Sequence, residues 1–131
     1  MDTLIAGYKQ SLLTLLAIDP CPFDTGLRSK LPEASGIYRI LRRGSDWRDS
    51  IYVGESGNLR RRIYDCHYTG NRSVSTLKRK LIKCGEFLDE KAIQTFLGAE
   101  CCVQFMELPG KRERVWLQHF AIAVLKPLHN D

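Results

Sequence analysis

The fold is decided by residues 36–56, which read GIYRILRRGSDWRDSIYVGES. Both ends of this stretch are rich in β-branched and aromatic residues, and the polar residues 43–49 separate them, a pattern typical of an antiparallel hairpin. We therefore predict strands over residues 36–42 and 50–54. Because alternate residues of a strand point to one face, Tyr38 and Tyr52 can lie together on one face of the hairpin.

Helical patterns lie on both sides of the hairpin. Residues 3–17 have apolar residues at helical spacing, and prolines mark residues 20–32 as a loop. Ser56 is placed to cap a helix that runs to about residue 66, and either Ser73 or Ser75 opens the next helix. The inward-facing residues predicted for these two helices are Leu59, Ile63 and Cys66, followed by Leu77, Leu81 and Cys84. The Lys-Arg-Lys run at residues 78–80 is predicted to face outward.

The remaining sequence predicts a helix over 89–97, a strand over 101–108 and a helix over 111–125. The second half of this last helix is apolar almost all round, so it should be buried against the sheet. The mixed order of helices and strands indicates an α/β fold class.

The composition is that of a single globular domain. Of the 131 residues, 44% are apolar and 27% charged, and no apolar stretch is long enough to cross a bilayer. Neither a signal peptide nor a membrane partner is expected, so we predict a cytoplasmic protein. The five cysteines are odd in number and lack C-x-x-C spacing, so we interpret them as reduced thiols, most of them buried.

The positive charge of the chain is concentrated in one segment. Residues 56–83 carry eight basic side chains against one acid, a net charge of +7, whereas the whole chain carries +5. The rest of the sequence therefore sums to −2. Such a local excess indicates a surface that meets a polyanion, although a solvated charged face is the simpler alternative.

The motifs of the chain occur in a specific order. Gly36-Ile37-Tyr38 is followed by Tyr52-Val53-Gly54, by Gly57-Asn58-Leu59 leading to Arg62, and by Lys126-Pro127-Leu128-His129-Asn130 after the last helix. In this order and spacing, residues 35–130 resemble the GIY-YIG nuclease superfamily. The resemblance implies an α/β domain, more narrowly α+β, with a small three-stranded antiparallel sheet flanked by helices. It also implies metal-dependent hydrolysis of DNA phosphodiester bonds. It divides the chain into an N-terminal helix-and-loop extension, residues 1–34, and a nuclease-like domain over residues 35–131.

The resemblance also implies roles for the matching residues. Tyr38 would activate the attacking water and Tyr52 would hold water or phosphate in position. Arg62 would offer the scissile phosphate a planar fork of donors that keeps its charge. A free phenol titrates near pH 10, so Tyr38 would need a neighbouring cation or metal-bound hydroxide. The further residues expected to line the site are Gly54, Ser56 and Asn130.

One position departs from the family's pattern at the metal. The family's metal-binding glutamate stands twelve residues before the terminal asparagine, and counting back from Asn130 reaches Gln118. The implied ion is Mg²⁺, with Mn²⁺ as an alternative, and a neutral amide is a poor substitute for a carboxylate. The chain is then either a natural member with weak or no activity or a variant in which glutamate was replaced so that DNA binds uncut.

A second departure concerns the proton carrier. Many members have a histidine or tyrosine four residues after the motif arginine, where this chain has Cys66, and His67 follows. We predict that His67 reaches the first motif tyrosine if the helix ends early, within residues 66–70.

The predicted partner is DNA, as a duplex or a branched structure. The candidate phosphate contacts are Arg60, Arg61, Arg72, Lys78, Arg79 and Lys80. Specificity would come from the hairpin tip, from a homodimer or from a partner protein. A DNA-binding module that kept the fold and lost hydrolysis is the alternative function. A protein-interaction domain is a third, but it leaves the localised charge unexplained.

Overall fold

The structure is a computed structural model, and it describes residues 1–44 and 47–130. Ser45, Asp46 and Asp131 lie outside the described residues. The middle of the hairpin tip and the last residue of the domain predicted over 35–131 are therefore not described. Within the described ranges, no helix combines the length and apolarity needed to cross a membrane.

An antiparallel sheet forms the centre of the protein. Its strands are β1 (Cys21–Pro22), β2 (Gly36–Arg42), β3 (Ser50–Ser56) and β4 (Cys101–Glu107), in the order β1-β4-β2-β3. The antiparallel sheet is confirmed, but it has four strands rather than three. The added strand comes from the loop predicted over residues 20–32, where Cys21 and Pro22 pair with Val103 and Cys102. Proline is tolerated there because β1 lies at the sheet edge.

Helices cover both faces of this sheet. They are α1 (Asp2–Leu16), α2 (Leu27–Lys30), a π-helix (Arg61–Tyr68), α3 (Thr76–Lys83), α4 (Glu90–Glu100) and α5 (Lys111–Leu125). The N-terminus of α3 is capped by Ser75, whose Oγ accepts a hydrogen bond from Lys78 N. Of the two serines that could open this helix, Ser75 is therefore the one that does so.

The sheet separates two hydrophobic cores. On one face Tyr38, Ile40 and Tyr52 pack with residues of the π-helix, α3 and α4. On the other face Ile37 and Val53 pack with residues of α1 and α5. The buried residues that these helices contribute to this core are Leu12, Leu15, Leu117, Ala121 and Leu125. The second half of α5 is buried only on the side that joins this core. Val124, in the same half of the helix, is 46% exposed.

The α3 prediction is wrong at two residues. Cys84 was expected to face inward, but it follows the last residue of α3 and is exposed. Lys78 was expected to face outward, but its side chain is 1% exposed. Its ammonium donates to the carbonyl oxygens of Tyr68 and Gly70, at 2.7 and 2.5 Å. Lys78 is buried because the end of the π-helix leaves carbonyl groups that need donors.

The two motif glycines are required by close packing between neighbouring elements. A Cβ atom on Gly36 would overlap the carbonyl oxygen of Met106 and the side chain of Leu59. A Cβ atom on Gly54 would overlap the hydroxyl end of Tyr38, which lies directly over this glycine. The spacing of the motif therefore reflects the space that Tyr38 needs.

Replacing Gly54 by alanine is expected to destabilise the fold by about 1–3 kcal/mol, the usual range for overpacking a core. The added methyl group must displace the buried Tyr38 side chain. Chemical denaturation monitored by circular dichroism measures the change. Gly7→Ala is the control, since nothing lies within 4 Å of a Cβ atom there. Equal stability of the Gly54 and Gly7 variants would contradict this packing.

Candidate active site

The two motif tyrosines share one face of the sheet, as predicted. Tyr38 pairs with Gly54 and Ile40 pairs with Tyr52, so the tyrosines are diagonal neighbours across β2 and β3. Their ring centroids are 6.2 Å apart. Both side chains are buried, with Tyr38 at 0% and Tyr52 at 7% exposure. On this face of the sheet, the two phenols therefore point towards the buried sides of the π-helix and α3.

His67 reaches Tyr38 because the helix is wider than an α-helix, not because it ends early. The Thr69 amide donates to the carbonyl oxygen of Tyr64, five residues back, as a π-helix requires. In an α-helix, the residue four positions after Arg62 would face Tyr38. In this π-helix, the residue five positions after Arg62 does so. His67 Nε2 lies 2.6 Å from the Tyr38 hydroxyl oxygen. Cys66, four positions after Arg62, is also buried.

The start of this helical segment also differs from the prediction. The helical backbone begins at Leu59, and the side-chain oxygen of Asn58 accepts from the Arg61 amide. Ser56 was expected to cap the helix, but it is the last residue of β3. Its hydroxyl contacts the backbone of Asn58 instead. Ser56 therefore closes the turn between β3 and the helix.

A buried serine holds the other side of the histidine ring. His67 Nδ1 lies 2.8 Å from Ser75 Oγ, and both residues are fully buried. Burial, together with the nearby charges of Arg62 and Lys78, lowers the pKa of His67 to about 3. Burial likewise raises the pKa of Tyr38 well above 10, against the effect of Arg62. At neutral pH the Tyr38–His67 pair is therefore uncharged.

Thr76 joins Arg62 to the second tyrosine. The Thr76 hydroxyl accepts from Arg62 at 3.0 Å and lies 2.8 Å from the Tyr52 hydroxyl oxygen. The guanidinium also donates to the carbonyl oxygen of Val74, at 3.1 Å. Neither Thr76 nor Ser75 was predicted to be a site residue. The available signal was the helix start at residues 75–76, which places polar side chains beside the first turn of α3.

Gln118 and Asn130 meet at the backbone of Val53 on the outer strand β3. The Asn130 amide accepts from Val53 N at 2.7 Å and donates to Val53 O at 2.8 Å, which continues the strand pairing. Gln118 Nε2 donates to the same carbonyl oxygen at 3.4 Å. The next charged pair on this side is Arg114 with Glu55, at 3.0 Å between Nε and Oε2.

The residues around Gln118 do not fit a Mg²⁺ site. With its amide nitrogen directed at Val53, Gln118 can offer only a neutral oxygen. The carboxylate of Glu55 is already paired with the buried Arg114. Mg²⁺ binds through hard, anionic oxygen ligands, usually one or two carboxylates. The neutral Gln118 amide therefore supplies no charge that would hold the ion.

The predicted phosphate contacts fall into two groups. Arg60 pairs with Glu33 at 3.0 Å, Arg72 pairs with Glu90 at 3.1 Å, and Lys78 is buried. Lys78 is therefore unavailable to a DNA backbone, and this prediction is wrong. Arg61 and Arg79 are exposed and Lys80 is half-buried, so these side chains are accessible.

A large concave surface lies away from these residues. It measures about 740 Å³ and lies between α1 and α5, where Tyr8, Leu117 and Trp116 contribute to its lining. Neither motif tyrosine lines it, and neither does Arg62 or Gln118. We place the site at the hydrogen-bonded tyrosines, because titratable and cationic groups converge there.

Comparison with known proteins supports the fold. No protein-family model matches the chain, and no curated protein matches it. The GIY-YIG N-terminal endonuclease domain of UvrC from Thermotoga maritima, in a tyrosine-to-phenylalanine mutant bound to its catalytic divalent cation, matches with a TM-score of 0.52. The identity is 20%, over 83% of this chain and 99% of that chain. The magnesium-bound form of that domain gives 0.48 at 22% identity, over 83% and 100%. The chain thus has the fold of the GIY-YIG endonuclease domain.

Proposed function

We propose that this domain binds DNA at a phosphodiester site formed by Tyr38, Tyr52 and Arg62, and that its metal-dependent endonuclease activity is attenuated by Gln118. The main supporting observation is the convergence of two hydrogen-bonded groups. One links Tyr38, His67 and Ser75, and the other links Tyr52, Thr76 and Arg62. Within a nuclease fold, this convergence brings proton carriers and a phosphate-binding cation to one place.

The chemistry follows from the charges of these groups. The planar guanidinium of Arg62 offers parallel N–H donors that match a pair of phosphate oxygens. For Tyr38 to accept a proton from water, its own proton must pass to His67 Nε2. The resulting imidazolium is unfavourable beside Arg62 and Lys78 in a buried site. A bound phosphate anion would offset the charge of Arg62 and so make this transfer easier. Substrate binding and proton transfer are therefore coupled in the proposal.

The alternative function is a DNA-binding module without hydrolysis. The observation that favours it is the neutral Gln118 amide on Val53, with the Glu55 carboxylate paired to Arg114. Both functions require DNA binding and differ only in turnover. The proposed location is the cytoplasm, since all five cysteines are free thiols, as a reducing compartment keeps them.

Removing an exposed cation of the basic segment is expected to weaken DNA binding in a salt-dependent way. Arg61→Gln should lower the slope of log affinity against log salt by about 1, as the loss of one phosphate contact predicts. Arg79→Gln should act similarly. Fluorescence anisotropy with duplex, branched and single-stranded oligonucleotides measures both the slope and the preferred substrate, and sedimentation of the complex reports whether a homodimer binds.

The matched control is Lys9→Gln, which removes one exposed charge from α1, outside the basic segment. Its slope should equal that of the original chain. An affinity that does not change with ionic strength would contradict a polyanion site, and no affinity for any of the three oligonucleotides at low salt would leave only a protein-interaction role.

A further inference from the structure

A group of side chains that could ligate a metal ion lies outside the site described above. Cys84, Glu86 and His129 each direct one ligand atom into a common space, and these atoms all lie within 4.8 Å of one another. His129 Nε2 is 3.7 Å from Glu86 Oε1. None of these residues takes part in the hydrogen bonds of Tyr38, Tyr52 and Arg62 described above. We propose that the three side chains bind a transition-metal ion of the zinc class.

The backbone already holds the three residues in place. Helix α3 ends at Lys83, and the amide of Cys84 donates to Lys80 O. Gly85 then adopts a φ of +84°, a left-handed conformation that reverses the chain between Cys84 and Glu86. The third residue, His129, has its amide bonded to Ile51 O at 2.9 Å. Ion binding would therefore require side-chain adjustment rather than refolding of the backbone.

The donor atoms indicate which ions fit. A thiolate sulfur, an imidazole nitrogen and a carboxylate oxygen are all ligands of Zn²⁺, whereas Mg²⁺ prefers oxygen. Two ligands bound to Zn²⁺ through nitrogen and oxygen at tetrahedral geometry are roughly 3.4 Å apart, given bond lengths of about 2.0–2.2 Å. The 3.7 Å between His129 and Glu86 is close to this separation. Three protein ligands would leave a fourth position for water.

The surrounding charges also constrain the site. Cys84 and His129 line a cavity of about 390 Å³ together with Lys80, Lys83 and Asn130. The two lysines oppose a cation, but a thiolate and a carboxylate together supply two negative charges to a divalent ion. The cavity also contains Asn130, which binds Val53 at the edge of β3. A bound ion would therefore link the end of α3 to the segment that carries a motif residue.

Titration of the metal-free full chain with Zn²⁺ and with Co²⁺ tests this proposal. We expect one Zn²⁺ per chain and a thiolate-to-cobalt charge-transfer band in the near ultraviolet. Cys84→Ser should abolish the band, and both Cys84→Ser and His129→Asn should weaken Zn²⁺ binding at least tenfold. The control is His119→Asn, an exposed histidine of α5, which should bind as the original chain does.

A measurement on the unmutated chain makes the test independent of how the variants fold. Zn²⁺ should slow thiol alkylation at the exposed Cys84, mapped by peptide mass spectrometry, and leave the partly buried Cys21 unchanged. Absence of the charge-transfer band, or alkylation of Cys84 at the same rate with and without Zn²⁺, would overturn the proposal. Unchanged affinity in the Cys84 and His129 variants would do so as well.

Discussion

Replacing Gln118 by glutamate is expected to raise Mg²⁺-dependent DNA cleavage at least about 100-fold above that of the original chain. An ion that stabilises the charged transition state contributes several kcal/mol, and each 1.36 kcal/mol changes a rate tenfold. The new carboxylate would lie beside Val53, where the Gln118 amide now donates to a carbonyl oxygen at 3.4 Å. Conversion of supercoiled plasmid, with Mg²⁺ and with chelator, measures the change.

Two further variants make this result specific. Gln10→Glu introduces the same chemical change on the exposed surface of α1 and should leave activity unaltered. Adding Arg62→Ala to Gln118→Glu should remove the gained activity, because the phosphate then loses its guanidinium. If Gln118→Glu shows no metal-dependent cleavage, the proposed nuclease chemistry is wrong. In that case DNA binding with a normal salt slope would favour the non-catalytic module.

Replacing His67 by glutamine is expected to remove much of the acid sensitivity of the fold. The folded-state pKa of His67 is lowered to about 3, whereas an unfolded histidine titrates near 6.5. Between these values the unfolded chain binds the proton and the folded chain does not. The stability that the neutral histidine contributes is therefore complete above pH 6.5 and is lost as pH falls towards 3.

The expected size of this effect is large for a single residue. By pH 4 the original chain should lose about 3 kcal/mol more stability than the His67→Gln variant, relative to pH 7.5. Urea denaturation across this pH range gives the free energy of unfolding against pH for both chains. Subtracting one curve from the other removes the contribution of the carboxylates, which titrate in both chains. His119→Gln, at an exposed position, should follow the original chain. Parallel curves for the original chain and the His67 variant would show that His67 takes up its proton at the same pH in the folded and the unfolded chain, and would contradict this prediction.

Much of the fold could be predicted from local patterns. The strands at 36–42 and 50–54 and the helices at 3–17 and 111–125 agree with β2, β3, α1 and α5 to within two residues. These elements have clear periodicity and strong end signals. β1 was missed, since its two residues have no periodicity and depend on β4 for hydrogen bonds.

Tertiary contacts decided the details of the site. The placement of Tyr38 and Tyr52 on one face followed from sequence, because the period of a strand is two residues. The choice between Cys66 and His67 did not, because a π-helix depends on packing and on the Lys78 ammonium that binds its last carbonyls. Likewise, Lys78 stands in a Lys-Arg-Lys run that resembles any solvated group of charges. Only the folded chain shows that it is buried.

The sequence by itself determined the three longer strands of the sheet, the placement of its two tyrosines on one face and the neutral amide at position 118. The order of the motifs gives the position of residue 118 relative to Asn130. Whether the side chain there is charged follows from the identity of the residue alone. The tertiary structure alone decided which groups share a proton, which cations remain accessible, and that Cys84, Glu86 and His129 meet. These depend on distances between residues far apart in the chain, and such distances are set by packing.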